Sequence, residues 1–159
     1  MSIRFFSILL IALSAITSFA ASEGPAQPLT EYRCQPTRED EMGPFYRSGA
    51  PLRSRIGEGY LLTGNAKSAV DCAPIASALV ELWQAGPDGR YDDAHRAAII
   101  TGEAGYYQLE TDFPGEYFTR PPHIHIRVSA PGFKTLVTQH YLERGTAKAN
   151  FDLVLTPES

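Results

Sequence analysis

The residues best suited to chemistry lie in Arg120-Pro121-Pro122-His123-Ile124-His125-Ile126-Arg127-Val128. On an extended strand, His123 and His125 point to the same face with Cα atoms roughly 6.6 Å apart, and their imidazoles can converge on one ion. Ile124, Ile126 and Val128 then take the opposite, core-facing side. The spacing alone is shared by zinc, copper and iron sites, and it also fits the wet face of an edge strand. Two tyrosines add a further donor type. Tyr91 follows the turn Gly86–Arg90, and Tyr117 follows Pro114-Gly115. Taken singly, either is a core or rim aromatic. As ligands they are demanding, because a phenol with pKa near 10 costs about 4 kcal/mol to ionise at neutral pH. A hard, highly charged ion such as Fe(III) can offset that cost.

Positioning such groups needs a rigid scaffold, and the remainder of the chain describes one made of strands. Gly (13) and Pro (12) are both frequent, which favours short strands and turns over long helices. Tyr60–Gly64 is a strand candidate. Pro74–Gln84 alternates, with Ala76, Ala78, Val80 and Leu82 on one face and Leu79, Glu81 and Trp83 on the other. Gly86-Pro87-Asp88-Gly89 marks a turn. Gly105–Thr111, His123–Ala130, Phe133–Tyr141 and Phe151–Thr156 complete the set. No segment sustains a helical period, although Thr37–Glu41 suits one short helical turn. Residues 23–58, with five prolines, read as an irregular arm. The expected fold is all-β, an antiparallel β-sandwich with a Pro-rich N-terminal arm.

The chain's 159 residues suit one domain. A net charge of −4 argues against a nucleic-acid partner. Met1–Ala20 carries one charge, Arg4, then an apolar run, then Ser18-Phe19-Ala20 with small residues flanking a cleavage position. That is the plan of a secretory signal peptide, so residues 21–159 are expected to form a single exported domain, periplasmic or secreted, with no membrane attachment after cleavage. In such a compartment Cys34 and Cys72 read as a disulfide pinning the arm to the body of the domain.

Read together, several motifs resemble the intradiol ring-cleavage dioxygenases, the non-haem iron(III) enzymes that include catechol and protocatechuate dioxygenases. The resemblance runs through Gly43-Pro44-Phe45-Tyr46, Ala78–Ala85, Asp88-Gly89-Arg90-Tyr91, Thr101–Tyr107, Pro114-Gly115-Glu116-Tyr117, Arg120–His125 and Thr138-Gln139-His140-Tyr141, in the family's order. It implies one Fe(III) per chain, held by Tyr91, Tyr117, His123 and His125, with water or hydroxide completing the sphere. Within the implied catalytic set, Tyr117 leaves the metal and accepts a catechol proton, Arg120 steadies negative charge on the ring, and Gln139 sits beside the histidines. Tyr46 and Trp83 are implied near the pocket. The partners implied are a catecholic ring and O2, and the product a cis,cis-muconate-type diacid. The compact interval between Tyr91 and Tyr117 looks closer to a small exported branch of the family, with a more open site.

Two other classes fit parts of the pattern. A transthyretin-like or adhesin-like sandwich that only binds would share the strand and turn phrases. A zinc or copper hydrolase or oxidase would use His123 and His125 with His95 or His140 as a third ligand.

Overall fold

The computed structural model describes residues 31–158, so the expected signal peptide Met1–Ala20 lies outside the described residues. Eight strands follow the arm: β1 Tyr60–Ser68, β2 Leu79–Ala85, β3 Tyr91–Ile100, β4 Tyr106–Thr111, β5 His123–Ser129, β6 Leu136–Tyr141, β7 Lys148–Asn150 and β8 Leu153–Leu155. They form two four-stranded sheets. One runs β3-β2-β5-β6, antiparallel throughout. The other is built on β1, which pairs antiparallel with β4 and parallel with β7 and β8. Among the described residues there is no helix.

The core lies between the sheets and follows from period-two alternation. β1 buries every second residue, Tyr60, Leu62 and Ala66 among them. Facing it are Val80 and Leu82 of β2 and Ile124, Ile126 and Val128 of β5, all 1% exposed or less. Each such aliphatic side chain removed from water contributes about 1.5–3 kcal/mol. The alternation in Pro74–Gln84 starts later than expected. Ser77 has φ 57°, which breaks the extended run, so Ala76 is exposed and Ile75 is buried instead.

Strands β2 and β5 are also buried on their outer face, where the arm covers them. Residues 31–59 make only isolated bridges, yet strand atoms hold them along their length. The Thr37 amide donates to the Val154 carbonyl, the Asp40 amide to Val137, and the Arg53 amide to Ala98. The Thr37–Glu41 segment is therefore extended, not helical: sheet carbonyls take the amides that a helical turn would have used. Cys34 and Cys72 are bridged as expected, across a sequence separation of 38. The strand β3 was not legible as one. It is an edge strand whose Asp92, Asp93 and Ala94 are all exposed and whose register on β2 shifts between Trp83 and Ala85, so alternation is lost.

Candidate metal and catalytic site

Strand register assembles the site. On the outer face of the four-stranded antiparallel sheet, Trp83, His125 and Gln139 form one cross-strand row, with Tyr141 opposite His123 in the next. The bulge in β2–β3 brings Tyr91, the first residue of β3, opposite Ala85. Two turns then lock together. The Gly115 amide donates to the Gly86 carbonyl, and Gly89, at φ 77°, lies so close to Glu116 that a Cβ there would stand 2.6 Å from its carbonyl oxygen. The turn before Tyr91 and the loop before Tyr117 thus pack as one unit, leaving the two tyrosine rings edge to face at 5.5 Å.

Three of the four expected ligands converge. Nε2 of His123 and of His125 are 3.1 Å apart, and Tyr91 Oη lies 3.3 and 3.2 Å from them. Donors at about 2.0–2.1 Å from a shared tetrahedral ion stand roughly 3.3–3.4 Å from one another, so this triangle has the size of an ion's coordination face. Tyr117 is the ring neighbour of Tyr91. Among the described residues no hydrogen bond joins its hydroxyl to the other three.

The protonation states suit a cation. His123 Nδ1 donates to the Pro121 carbonyl at 2.7 Å, which leaves the Nε2 lone pair facing the cluster. Burial, then the neighbouring His123, push His125 down to about 4; the Glu41 carbonyl opposes this, Arg120 adds a smaller push downward and Asp40 a smaller pull upward. That carbonyl forms no bond of hydrogen-bonding geometry with His125 Nδ1, which is left buried and unpaired. Burial, reinforced by Arg120, also lowers His123. Both rings are therefore neutral at pH 7, the form that ligates metal. Burial raises Tyr91 to about 12, with Arg120 opposing, so only a strong local positive charge would draw off its proton. Two clustered imidazole nitrogens fit a metal cation, and the buried phenol beside them, as a phenolate oxygen donor, fits a hard, highly charged one.

The walls are aromatic and arm-derived. Phe45 stacks on Tyr91 with centroids 4.2 Å apart and meets Tyr117 edge-on at 5.2 Å. Trp83 lies parallel to His125 at 5.0 Å, buried rather than lining an opening. Tyr46 packs behind Trp83 and donates to the Glu81 carboxylate at 3.2 Å. Gly43, at φ 69°, passes close to the His125 ring, where a Cβ would stand 2.9 Å from Cε1. Beside the cluster, Arg120 Nη2 donates to Gln139 Oε1 at 2.9 Å and to Tyr141 Oη at 3.0 Å. Gln139 Nε2 donates to the Glu41 carbonyl at 2.6 Å, and Tyr141 Oη lies 3.1 Å from Asp40 Oδ2.

The spare histidines are elsewhere. His140 is on the opposite face of β6, paired with Tyr60 Oη at 2.8 Å, and His95 Nδ1 pairs with Asp92 at 2.7 Å. Among the described residues no three His, Cys, Asp or Glu side chains converge, which removes the geometry that a three-histidine zinc or copper site requires. Phe45, Gly43, Asp40 and Tyr141 are the participants that sequence reasoning did not assign. Gly43 and Phe45 were signalled by the Gly43-Pro44-Phe45-Tyr46 phrase and Tyr141 by Thr138-Gln139-His140-Tyr141, whereas Asp40 had no signal.

Comparison with known proteins identifies the family. A dioxygenase family model matches residues 47–155. Chlorocatechol 1,2-dioxygenase of Cupriavidus pinatubonensis is 30% identical over 137 residues, covering 65% of this chain and 53% of that protein. Hydroxyquinol 1,2-dioxygenase of a Rhizobium species is 33% identical over 132 residues, covering 61% of this chain and 44% of that protein. The chain thus spans about half the length of the curated relatives it matches. Among solved structures, the dioxygenase domain of a dioxygenase–carbohydrate-binding protein fusion from Streptomyces sp. SirexAA-E aligns with a TM-score of 0.71 at 27% identity, covering 78% of this chain and 100% of that one. The family match spans the strands that carry Tyr91, His123 and His125, along with Tyr117 between them, and on that ground the chain belongs to the intradiol ring-cleavage dioxygenase family.

Proposed function

We propose that the protein is an exported Fe(III) dioxygenase that uses O2 to open catechol-type rings between the two hydroxyl-bearing carbons, giving cis,cis-muconate-type diacids. The observation that carries this reading is the convergence of His123 Nε2, His125 Nε2 and Tyr91 Oη within 3.3 Å, with Tyr117 against Tyr91. A module that only binds has no need of that convergence. Tyr91, Tyr117, His123 and His125 would hold the ion. When bound, ferric iron would act as a Lewis acid for the deprotonated diol, which would chelate it, and would make the ring reactive toward O2.

The remaining work falls to the chain itself. Tyr117 is half-buried at the edge of the cluster; held as tyrosinate by the ion, it would be able to leave and accept a catechol proton. Arg120 presents its guanidinium beside the histidines and stabilises negative charge as it grows on the ring. Gln139 holds Arg120 through Oε1 and is itself fixed by the Glu41 carbonyl, so it acts as the joint between β6 and the arm. Phe45 and Trp83 keep water from the back of Tyr91 and His125. Export is supported by the Cys34–Cys72 bridge, a feature of oxidising compartments.

Tyrosinate bound to Fe(III) absorbs visible light, so the iron-loaded protein is expected to be red to purple. Tyr91→Phe combined with Tyr117→Phe should bleach it. Catechol should shift the band under nitrogen, and oxygen should then yield a muconate-type absorbance. A fully iron-loaded but colourless protein would refute the assignment.

A further inference from the structure

We propose that Tyr141 and Asp40 are positioning residues for Arg120, with Asp40 of the arm anchoring the Tyr141 hydroxyl that receives the guanidinium. The inference rests on the functional reading above for Arg120 and goes beyond it in assigning two residues to its control. One guanidinium nitrogen, Arg120 Nη2, donates to both Gln139 Oε1 and Tyr141 Oη, at 2.9 and 3.0 Å. The Tyr141 hydroxyl has a single proton and two acceptors within 3.1 Å, Asp40 Oδ2 and Gln139 Oε1. Gln139 Oε1 already accepts from Arg120, and a carboxylate is the stronger acceptor, so the proton goes to Asp40. The Tyr141 oxygen lone pairs are then turned toward Arg120.

Other charges near this chain do not replace it. Glu41 Oε2 is 3.8 Å from Arg120 Nη1, and its side chain is 82% exposed, so it exerts a weak, screened pull. Without Tyr141 and Asp40, the guanidinium keeps one strong partner, Gln139, and can swing about it. Asp40 lies outside residues 47–155, the part of the chain matched to the family, and is held at the site by bonds of the arm to β6: its own amide to the Val137 carbonyl, the Arg38 carbonyl to Thr138 and the Glu41 carbonyl to Gln139. The arm thus contributes a side chain to the orientation of Arg120 as well as covering the sheet.

A double-mutant cycle on the iron-loaded protein tests this. Because Arg120 acts on charge that develops during reaction, Tyr141→Phe should lower kcat about tenfold and leave the catechol KM within about twofold. Asp40→Asn, which keeps an acceptor but loses its charge, should lower kcat about threefold. In an Arg120→Ala background, Tyr141→Phe should cost less than twofold, because it acts through the missing group. Losses that multiply would overturn the proposal. A second readout does not need turnover: the Nη protons of Arg120 in nitrogen-labelled protein should exchange faster with solvent in Tyr141→Phe and Asp40→Asn, and unchanged exchange would equally overturn it. Wild-type protein that is iron-loaded but inert toward catechols would refute the functional reading, while the exchange measurement would still decide the positioning claim.

Discussion

Gly43 shows how closely the candidate site is fitted around single atoms. Its φ of 69° belongs to the left-handed region, where a Cβ costs roughly 1–2 kcal/mol. A Cβ there would also come within 2.9 Å of His125 Cε1, on a ring backed by Trp83, which lies parallel to it at 5.0 Å, so the ring can yield only by leaving its present orientation. Gly43→Ala is therefore expected to tilt His125 away from His123 and Tyr91. Iron retention on dialysis should fall at least tenfold, and the thermal midpoint should drop by several degrees. Unchanged iron content would show that the ring has more room than the packing indicates. At this scale the sequence was informative where geometry follows from spacing: the His-x-His pair does share a face, with Ile124 and Ile126 on the other. It did not give the roles of Phe45 and Tyr141, because stacking on Tyr91 and a bond to Arg120 join residues 46 and 21 positions apart, and no local pattern encodes either contact.

Among the elements, the arm was the hardest to read. Residues 31–59 show no period because they follow no single sheet. They are pinned point by point, through Thr37 to β8, Asp40 to β6, Arg53 to β3 and Ile56 to β4. The strands β2 and β5 were legible from alternation, and β1, β4, β6 and β8 overlapped segments marked out as strand candidates. The edge strand β3 was not, and the parallel pairing of β7 and β8 with β1 was also beyond the sequence, because three-residue strands carry no pattern. The disulfide is the arm's covalent anchor. Replacing Cys34 and Cys72 with serine should destabilise the fold by about 3–4 kcal/mol on the chain-entropy account of a loop this long. Limited proteolysis should then cut between residues 35 and 50 well before the sheets. Equal cleavage rates in variant and wild type would mean that the hydrogen bonds alone hold the arm.

For the molecule as a whole, acid sensitivity has an identifiable source away from the site. Asp152, between β7 and β8, accepts from the Asn65 amide at 2.9 Å and pairs with Lys67, tying the last strands to β1. Burial opposes its charge, but Lys67 and the Asn65 amide outweigh that and hold its pKa below the ordinary 3.8. Because the folded value is depressed, the contribution is fully present above the unfolded value near 3.8. It shrinks as pH falls below that, and is gone once pH has passed the folded value. Asp152→Asn should thus lower stability by about 1–2 kcal/mol at pH 7, a gap that closes toward pH 2. Chemical denaturation of both proteins at pH 7, 4 and 2.5 checks this, and a gap that stays constant would place the acid-labile group elsewhere.

The pairing of Thr37 with Val154 also constrains how the protein comes into being. Thr37 gives its amide to the Val154 carbonyl and receives the Val154 amide on Oγ1, so an early segment closes only against one of the last strands. The segment from Asp40 to Phe45, by contrast, is seated on Val137, Gln139, His125 and Tyr91, all of which precede residue 154. The stretch that covers the candidate site can therefore settle before the chain's last strand is in place, and the Thr37–Val154 pair acts afterwards as the latch that keeps the start of the arm from peeling away.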